Sequence, residues 1–363
     1  MHAFELETPA LLIDLDIFER NLSRAAQYAR DHDLRLRPHT KTHKTPDIGR
    51  RQLASGAAGL TVAKVGEAEV MIASETPDLL VAYPVIGQSK LRRLTEVARK
   101  TRVTVALDSV FAARQLSDAA RAAQVNFAVL AEIDVGLGRV GVTPGEELLT
   151  LVQNIDRLAR LEFEGITFYP GHLKMQGGDT DAALRELGNT LRGCLDLLKQ
   201  QGFDVKIVSG GSTPTLFHSH LMRGLNEIRP GTYCFNDGNT VRSGGCALDD
   251  CAASILTTVV STARPGQMII DGGSKTFSSD RVLSGEPGFG RVVEAPECVF
   301  HSMNEEHGYV DIRKAGREFT VGDKVTVIPN HVCVAVNLHE HLYGVRNGEV
   351  EVVWKVEGRG KLQ

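Results

Sequence analysis

Features typical of membrane, nucleic-acid-binding and secreted proteins are missing from this 363-residue sequence. No stretch approaches the ~20 apolar residues that a membrane-spanning helix needs. No long basic run occurs and the net charge is -4, so nothing indicates a nucleic-acid or anionic-membrane partner. Residues 1–7 lack the basic start and apolar core of a secretory signal. We therefore expect neither nucleic acid nor membrane as a partner.

Cysteine is scarce and irregularly spaced. The six cysteines include no Cys-x-x-Cys pair and are too few for a disulfide framework. Their pattern predicts a reducing, cytoplasmic compartment. A hydrophobic content of 42% is typical of a globular protein with a full core.

Short apolar runs alternate with helical segments from residue 30 to about residue 230. Eight strands with intervening helices predict an α/β fold, a (β/α)8 TIM-like barrel, which typically occupies ~250 residues or slightly fewer. A doubly wound open sheet is the alternative, although no Gly-x-Gly-x-x-Gly occurs in the first βα unit. The predicted strands are Leu34–Arg37, Gly59–Ala63, Leu79–Tyr83, Val103–Leu107, Phe127–Asp134, Glu162–Tyr169, Val205–Ser209 and Glu227–Arg229.

After residue 244 the pattern changes to short apolar runs separated by turn residues, which predicts a second, mostly β domain. The run Ala10–Asp14 precedes a predicted helix and lies outside the eight-strand count, so we expect it to join this β domain. The predicted domains are a barrel over residues 13–244 and a β domain over residues 245–363 together with residues 1–12. The β-domain strands are predicted at Ala253–Ser261, Met268–Asp271, Arg291–Glu294, Glu297–His301, Lys324–Ile328, Val332–Val336 and Glu349–Val353.

Two lysines and two histidines lie within residues 37–44, directly after the first predicted strand. Neighbouring cationic groups lower the pKa of a lysine, as a carbonyl-capturing amine requires. In an extended chain, His39, Lys41 and His43 would share one side. Lys44 would lie on the other side as a surface or structural charge. A solvated basic turn is the alternative explanation of this segment.

Four further segments with polar or glycine-rich character follow predicted strands, where barrel enzymes place their catalytic groups. Arg139, Tyr169, the Ser-Gly-Gly-Ser-Thr segment beginning at Ser209, and Pro-Gly-Thr-Tyr ending at Tyr233 follow the fifth to eighth strands. Backbone N–H groups and hydroxyls of the serine- and glycine-rich segment suit a phosphate, although an ordinary turn is the alternative. A reactive lysine with a phosphate cradle suggests pyridoxal phosphate (PLP), held as a Schiff base.

A second candidate site lies in the predicted β domain, at Pro-Asn-His-x-Cys. Residues i and i+2 of a strand point to one face, so His331 and Cys333 would present an imidazole and a thiolate together. This soft pair suits zinc. A buried cysteine beside a core histidine is the alternative.

Together these motifs resemble the D-threonine aldolase/D-serine dehydratase family, PLP enzymes of the alanine-racemase-like fold. The resemblance spans nearly the whole chain and includes Arg-Pro-His-x-Lys-x-His-Lys, Glu-Ile-Asp-Val-Gly and Glu-Glu-His-Gly besides the motifs above. It implies a barrel with a β domain. It also implies a head-to-tail homodimer whose sites lie between the subunits.

The resemblance also implies a role for each candidate residue. Lys41 would be the Schiff-base lysine, flanked by His39 and His43 as base or orienting groups. Tyr169 would lie near the cofactor ring, and Arg139 would contact the phenolic oxygen of the cofactor. The phosphate end would be held by Gly210, Gly211, Ser212, Thr213 and Tyr233, and a divalent metal by His331 and Cys333.

The implied function is that of a PLP- and metal-dependent lyase acting on D-β-hydroxy-α-amino acids. Dehydratases of the family carry His-x-Cys and the well-known aldolases His-x-Asp, so Cys333 favours dehydration of D-serine or D-3-hydroxyaspartate to an oxo acid and ammonia. Lys41 would then take the α-proton, with zinc favoured over manganese or magnesium. D-threonine aldolase chemistry, with a base such as His43 on the hydroxyl, is the alternative. An amino-acid racemase and a non-catalytic PLP carrier are further alternatives, although neither would use the metal pair.

Overall fold

The structure is a computed structural model that describes residues 1–175, 179–281 and 288–363. These residues form two compact units, called here the barrel unit and the β unit. The predicted domain boundaries at 12/13 and 244/245 stay a prediction. The barrel unit comprises Ser23–Lys41, Pro46–Gly231 and Gly360–Gln363, and the β unit comprises Met1–Leu22, Thr42–Thr45 and Thr232–Arg359.

Eight parallel strands form the centre of the barrel unit. Numbered along the chain after β1 (Ala10–Asp14) of the β unit, they are β2 (Arg35–Leu36), β3 (Leu60–Val62), β4 (Asp78–Val81), β5 (Arg102–Leu107), β6 (Phe127–Glu132), β7 (Leu161–Thr167), β8 (Ile207–Gly210) and β9 (Glu227–Ile228). Their order is β2-β9-β8-β7-β6-β5-β4-β3, and a parallel bridge between His39 and Thr61 joins its two ends. The predicted barrel is confirmed.

Helices alternate with these strands. They are α1 (Leu15–Asp31), α2 (Pro46–Ala54), α3 (Val65–Met71), α4 (Gln88–Ala98), α5 (Val110–Ala123), α6 (Glu146–Asp156) and α7 (Thr180–Gln200). Ser109 and Asp179 cap α5 and α7, each accepting a backbone N–H of the first turn. Strands β5 and β6 are buried almost throughout, as in parallel sheets covered on both faces. None of the helices formed by the described residues is both long and apolar enough to span a bilayer.

Charged side chains occupy part of the barrel interior. Arg37, only 1% exposed, lies 3.0 Å from Asp78 and 2.9 Å from Glu227. Ser209 Oγ donates to Glu227 (2.7 Å) and accepts from Arg229 (2.8 Å). Because an unpaired buried charge is strongly destabilising, these groups depend on one another. The polar interior thus extends to β8 and β9, which precede two of the candidate loops.

The β unit contains a mostly antiparallel sheet. Besides β1 its strands are β10 (Ala253–Ser261), β11 (Gln267–Ile270), β12 (Gly290–Val292), β13 (Val299–Met303), β14 (Gly308–Asp311), β15 (Lys324–Pro329), β16 (His341–Arg346) and β17 (Glu349–Lys355). Strand β1 pairs with β10 and β16, so the expectation that Ala10–Asp14 joins the β region is confirmed. Three short helices are α8 (Gly238–Arg242), α9 (Ser274–Phe277) and α10 (Val332–Leu338).

The predicted strand Val332–Val336 is wrong, because this segment is helix α10. Its buried residues Val332, Ala335 and Val336 follow helical spacing instead of alternating. The backbone N–H of Val332 donates to Asp237 Oδ2 (3.0 Å), which satisfies a donor of the first turn. Strands β14 and β16 were not predicted from the sequence.

Candidate active site

The segment after β2 forms a turn over residues 40–43. Lys41 is exposed in this turn, whereas His43 is fully buried. The expectation that His39, Lys41 and His43 share one side of an extended chain is therefore wrong, since successive side chains rotate through a turn. Within this one turn, the side chain of Lys41 is therefore accessible to solvent and that of His43 is not.

Lys44 is a buried structural lysine. It is 6% exposed, and its Nζ donates to Asn337 Oδ1 (2.7 Å). Its backbone carbonyl accepts from Gly358 N (2.9 Å). Of the two roles expected for it, the structural charge is the one observed, so Lys41 is the solvent-exposed lysine of the motif.

Both histidines of the motif use Nδ1 as a hydrogen-bond acceptor. Lys41 N donates to His39 Nδ1 (3.3 Å), and Thr45 N donates to His43 Nδ1 (3.1 Å). A neutral imidazole that accepts at Nδ1 carries its proton on Nε2. In His43, Nδ1 is therefore occupied by a backbone donor.

Tyr169, just after β7, contacts two cationic side chains of the barrel unit. Lys41 Nζ lies 5.9 Å from the centre of its ring, and Arg139 Cζ lies 4.8 Å from it. Both distances are within the range of cation–π attraction. Three residues predicted from separate motifs are thus brought together at the C-terminal ends of the barrel strands.

Sequence reasoning did not identify two buried charged residues near this group. Glu132 ends β6 and is 5% exposed; burial raises its pKa, against the charges of Arg229 and Arg139. Arg229 also donates to Phe168 O (3.1 Å). Glu132 begins the Glu-Ile-Asp-Val-Gly motif, which was a usable signal, whereas Arg229 belongs to an ordinary predicted strand.

Glycines shape the loop after β8. Gly211 has φ +85°, a left-handed conformation that favours glycine. A Cβ on Gly210 would lie 2.3 Å from the Phe168 ring. The backbone can therefore take this path only without side chains at these two positions.

Two hydroxyl groups follow Gly210 and Gly211 in the loop after β8, and these four residues are called here the glycine cradle. Thr213 Oγ1 accepts from Gly231 N (3.2 Å) and so links the loops after β8 and β9. Ser212 Oγ lies 3.1 Å from Thr215 Oγ1. Barrels commonly bind phosphate after their seventh and eighth strands, which are β8 and β9 here. Tyr233 is buried in the β unit, in a short 3₁₀ turn.

His331 and Cys333 lie side by side in the β unit, although the strand predicted to pair them is a helix. His331 is the N-terminal cap of α10 and Cys333 is in its first turn. Their side chains hydrogen-bond to each other. Cys333 Sγ also lies 3.2 Å from Thr42 Oγ1 and 3.8 Å from Thr232 Oγ1. Thr42, which follows Lys41 in the chain, had not been identified from the sequence.

The environment of the pair favours an ionised thiol. The hydrogen bond to Cys333 raises the pKa of His331 to about 9, against the effect of burial, with further support from Asp280 and Asp237. Burial opposes ionisation of Cys333, but the hydrogen bonds and charge of His331, together with Thr42, hold the pKa of the thiol below its ordinary value. A thiolate is the form of cysteine that binds metal.

Known proteins resemble this chain over nearly its whole length. The family described as alanine racemase, N-terminal domain, matches residues 13–238, and the putative serine dehydratase domain matches residues 252–345. D-threonine aldolase of Arthrobacter sp is 32% identical over 98% of this chain and 93% of its own length. The chain belongs to the D-threonine aldolase/D-serine dehydratase family. Another member, 3-hydroxy-D-aspartate aldolase of Paracoccus denitrificans (strain Pd 1222), is 33% identical over 99% of this chain and 94% of its own length.

Solved structures of the family share the fold. D-threonine aldolase from Filomicrobium marinum superposes with a TM-score of 0.92 at 31% identity, covering 99% of this chain and 98% of its own. D-threo-3-hydroxyaspartate dehydratase from Delftia sp. HT23 gives 0.88 at 29% identity, covering 98% of each chain. Two variants of a D-threo-3-hydroxyaspartate dehydratase have also been solved. One replaces a histidine with alanine, and the other, in a metal-free form, replaces a cysteine two positions later with alanine. This is the spacing of His331 and Cys333.

PLP is expected for this family, and the residues of the barrel unit fit it. Lys41 offers an exposed amine, and Tyr169 offers an aromatic face beside it. The loop after β8 combines two glycines with the hydroxyls of Ser212 and Thr213, and backbone N–H and hydroxyl donors are groups that suit a phosphate. These features fit the amine, ring and phosphate contacts of the cofactor.

The imidazole and thiol of the β unit fit a divalent metal with open coordination positions. Within residues 1–175, 179–281 and 288–363, no group of three or more His, Cys, Asp or Glu side chains could hold a metal. Structural zinc sites use four protein ligands, whereas catalytic metal sites keep positions for water or substrate. The pair at His331 and Cys333 resembles the second kind of site.

Proposed function

We propose that this protein is a PLP- and divalent-metal-dependent lyase that dehydrates D-serine or D-3-hydroxyaspartate to an oxo acid and ammonia. The observation that carries the proposal is the hydrogen-bonded pair of His331 and Cys333, with the spacing found in the dehydratase variants. Imidazole and thiolate suit zinc, whereas manganese and magnesium prefer oxygen ligands. Zinc is therefore the proposed metal, with manganese and magnesium as alternatives.

In this proposal Lys41 holds the cofactor, and its amine is the base for the α-proton of the substrate. Arg139 and Tyr169 contact the cofactor ring, with Gly210, Gly211, Ser212, Thr213 and Tyr233 at its phosphate. PLP supplies an electron sink for cleavage at the α-carbon. His331 and Cys333 hold the metal, which supplies Lewis-acid polarisation of the β-hydroxyl. His39 accepts the N–H of Lys41 and orients the turn.

The state of His43 favours dehydration over aldol cleavage. Aldol cleavage needs a base that removes the proton of the β-hydroxyl. Nδ1 of His43 accepts the N–H of Thr45, and the ring is fully buried. Because its ring is buried and its Nδ1 is occupied by Thr45 N, His43 is a poor candidate for that base.

Aldol cleavage to glycine and an aldehyde is the second candidate reaction. Two relatives at 32% and 33% identity over nearly the whole chain are named aldolases, and a relative named a dehydratase is also 33% identical, over 90% of the chain. The structure with a TM-score of 0.92 is a D-threonine aldolase. Sequence identity therefore does not separate the two reactions, the structural likeness supports aldol cleavage, and the metal pair supports dehydration.

The test is product identification with the PLP- and zinc-loaded enzyme. D-serine, D-3-hydroxyaspartate and D-threonine are the substrates, and their L-enantiomers are the controls. An oxo acid with an equal amount of ammonia supports dehydration, and glycine with an aldehyde supports the alternative. No turnover of any D-substrate would contradict both.

The proposal includes a homodimer. Tyr83 and Ile86 follow β4, Phe111 follows β5, and all three side chains are exposed, Phe111 by 61%. Exposed apolar side chains at the C-terminal ends of barrel strands provide a surface suited to a second copy. Light scattering after gel filtration should give twice the chain mass of 39.4 kDa. A monomer at micromolar concentration would contradict this part.

The proposed domain division assigns the cofactor to residues 13–244 and the metal pair to residues 245–363 with residues 1–12. The proposed partner is a small D-amino acid. The proposed compartment is the cytoplasm, because reducing conditions keep a metal-binding thiol such as Cys333 from oxidation.

A further inference from the structure

His331 has a carboxylate partner from a distant part of the chain. Asp280 Oδ2 lies 2.6 Å from His331 Nδ1, a short distance for a nitrogen–oxygen hydrogen bond. Both side chains are partly exposed, that of Asp280 by 43% and that of His331 by 40%. The partner is therefore accessible to water, and the short contact is not a consequence of deep burial.

The backbone beside Asp280 is held in place by two further hydrogen bonds. Asp280 N donates to Ser278 Oγ (3.1 Å), and its carbonyl accepts from Asn330 Nδ2 (3.1 Å). The Asn330 amide is buried and also donates to Gly288 O (2.9 Å). Since Asn330 directly precedes His331, the carboxylate and the imidazole are anchored to the same short segment.

A carboxylate that accepts from Nδ1–H selects one form of the imidazole. It holds the proton on Nδ1 and leaves Nε2 with its lone pair for a metal. It also fixes the ring plane and makes the imidazole a better electron donor. Without it, the ring could rotate and exchange its proton between the two nitrogens.

We propose that Asp280 is a positioning residue that holds His331 with Nε2 directed to the metal beside Cys333. This inference rests on the proposed function, because it assumes that the pair binds a divalent metal. Asp280 is not a ligand in it. The residue acts through the imidazole by hydrogen bonding at 2.6 Å.

The barrel unit offers a matched control pair. His218 Nδ1 lies 2.8 Å from Asp181 Oδ1, with exposures of 39% and 40%. Its geometry and exposure resemble those of the pair at His331, so removal of either carboxylate costs a similar surface interaction. Only the pair at His331 adjoins a cysteine ligand candidate, so only that carboxylate should influence metal binding.

The experiment measures Co²⁺ binding to metal-stripped, PLP-loaded enzyme by competition with a coloured chelator and by the cobalt absorption spectrum. Asp280→Ala should weaken Co²⁺ binding by about 10- to 100-fold and change the ligand-field bands. Asp280→Asn keeps an acceptor oxygen without the charge, so a smaller loss is expected. Asp181→Ala should match the wild type. An unchanged visible band of PLP and an unchanged melting temperature would show that each variant is folded.

The outcomes separate this inference from the function it rests on. His331→Ala and Cys333→Ala test whether the pair binds Co²⁺ at all. If both lose binding while Asp280→Ala retains wild-type affinity and spectrum, the role of Asp280 is wrong and the metal site stands. If neither variant affects binding, the proposed metal pair itself is wrong. Equal losses in Asp280→Ala and Asp181→Ala would also overturn the specific role.

Discussion

The barrel unit and the β unit hold their candidate residues by different means. In the barrel unit the backbone shapes the site, with Gly211 in a left-handed conformation and Gly210 against Phe168. In the β unit, side chains hold one another: Asp280 binds His331, and Thr42 binds Cys333. The site in the barrel unit depends on the absence of side chains at two glycines, and the site in the β unit depends on hydrogen bonds between side chains.

This difference predicts that cofactor binding and metal binding can be removed separately. A backbone cradle fails when a side chain is added, whereas a hydrogen-bonded pair fails when one is removed. Single substitutions in each unit test that separation.

Lys41→Ala should abolish turnover and the visible absorbance of lysine-bound PLP, because Lys44, the second lysine of the motif, is buried. Lys41→Arg keeps the charge but cannot bind a carbonyl covalently, so it should fail equally. Co²⁺ affinity should stay at the wild-type value in both. Absorbance that persists in Lys41→Ala would rule out Lys41 as the cofactor lysine.

Cys333→Ala should give the opposite pattern. Loss of a Lewis acid worth several kcal/mol lowers turnover by about 10²- to 10³-fold, while the visible band of PLP stays. Metal content after dialysis, measured by mass spectrometry, should fall to background. Cys298→Ala is the control, since this buried cysteine lies elsewhere in the β unit. Full activity of metal-free enzyme would contradict the assignment.

Gly211→Ala should weaken PLP binding by about 10-fold, because a left-handed alanine costs about 1–2 kcal/mol. Fluorescence titration of the cofactor-free enzyme measures this change. Gly193→Ala is the matched control, since Gly193 lies within helix α7 with no atom near its added Cβ. That variant should keep PLP affinity and gain slightly in stability. Equal affinities in the two variants would argue against the glycine cradle.

The smallest expected effect concerns His339 in the β unit. Burial lowers its pKa, with Thr276 O opposing and Arg359 assisting. The unfolded chain therefore binds a proton below about pH 6.5 more readily than the folded one, so the unfolding free energy falls as pH drops below that value.

Urea unfolding followed by the fluorescence of Trp354, the single tryptophan, reports on the β unit in which it is buried. Between pH 7.5 and 5.5, His339→Gln should lose less stability than the wild type. An equal loss in both proteins would exclude this contribution.

Much of the barrel was predictable because its strands are short apolar runs between helices with clear periodicity. All eight predicted strands overlap observed ones, and Ala10–Asp14 joins the other sheet as expected. The segment Val332–Val336 was wrong because its valines favour a strand, whereas the hydrogen bond from Val332 to Asp237 starts a helix. A five-residue apolar run does not distinguish the two structures by itself.

The sequence by itself determined the barrel, the family motifs and the glycines of the cradle, because periodicity and conformational demands are local properties. Only the tertiary structure decided that Thr42 and Asp280 contact Cys333 and His331, at separations of 291 and 51 residues. It also decided that residues 40–43 turn, which exposes Lys41 and buries His43. Such hydrogen-bond partners are set by the packing of distant segments, and no local pattern in the sequence specifies them.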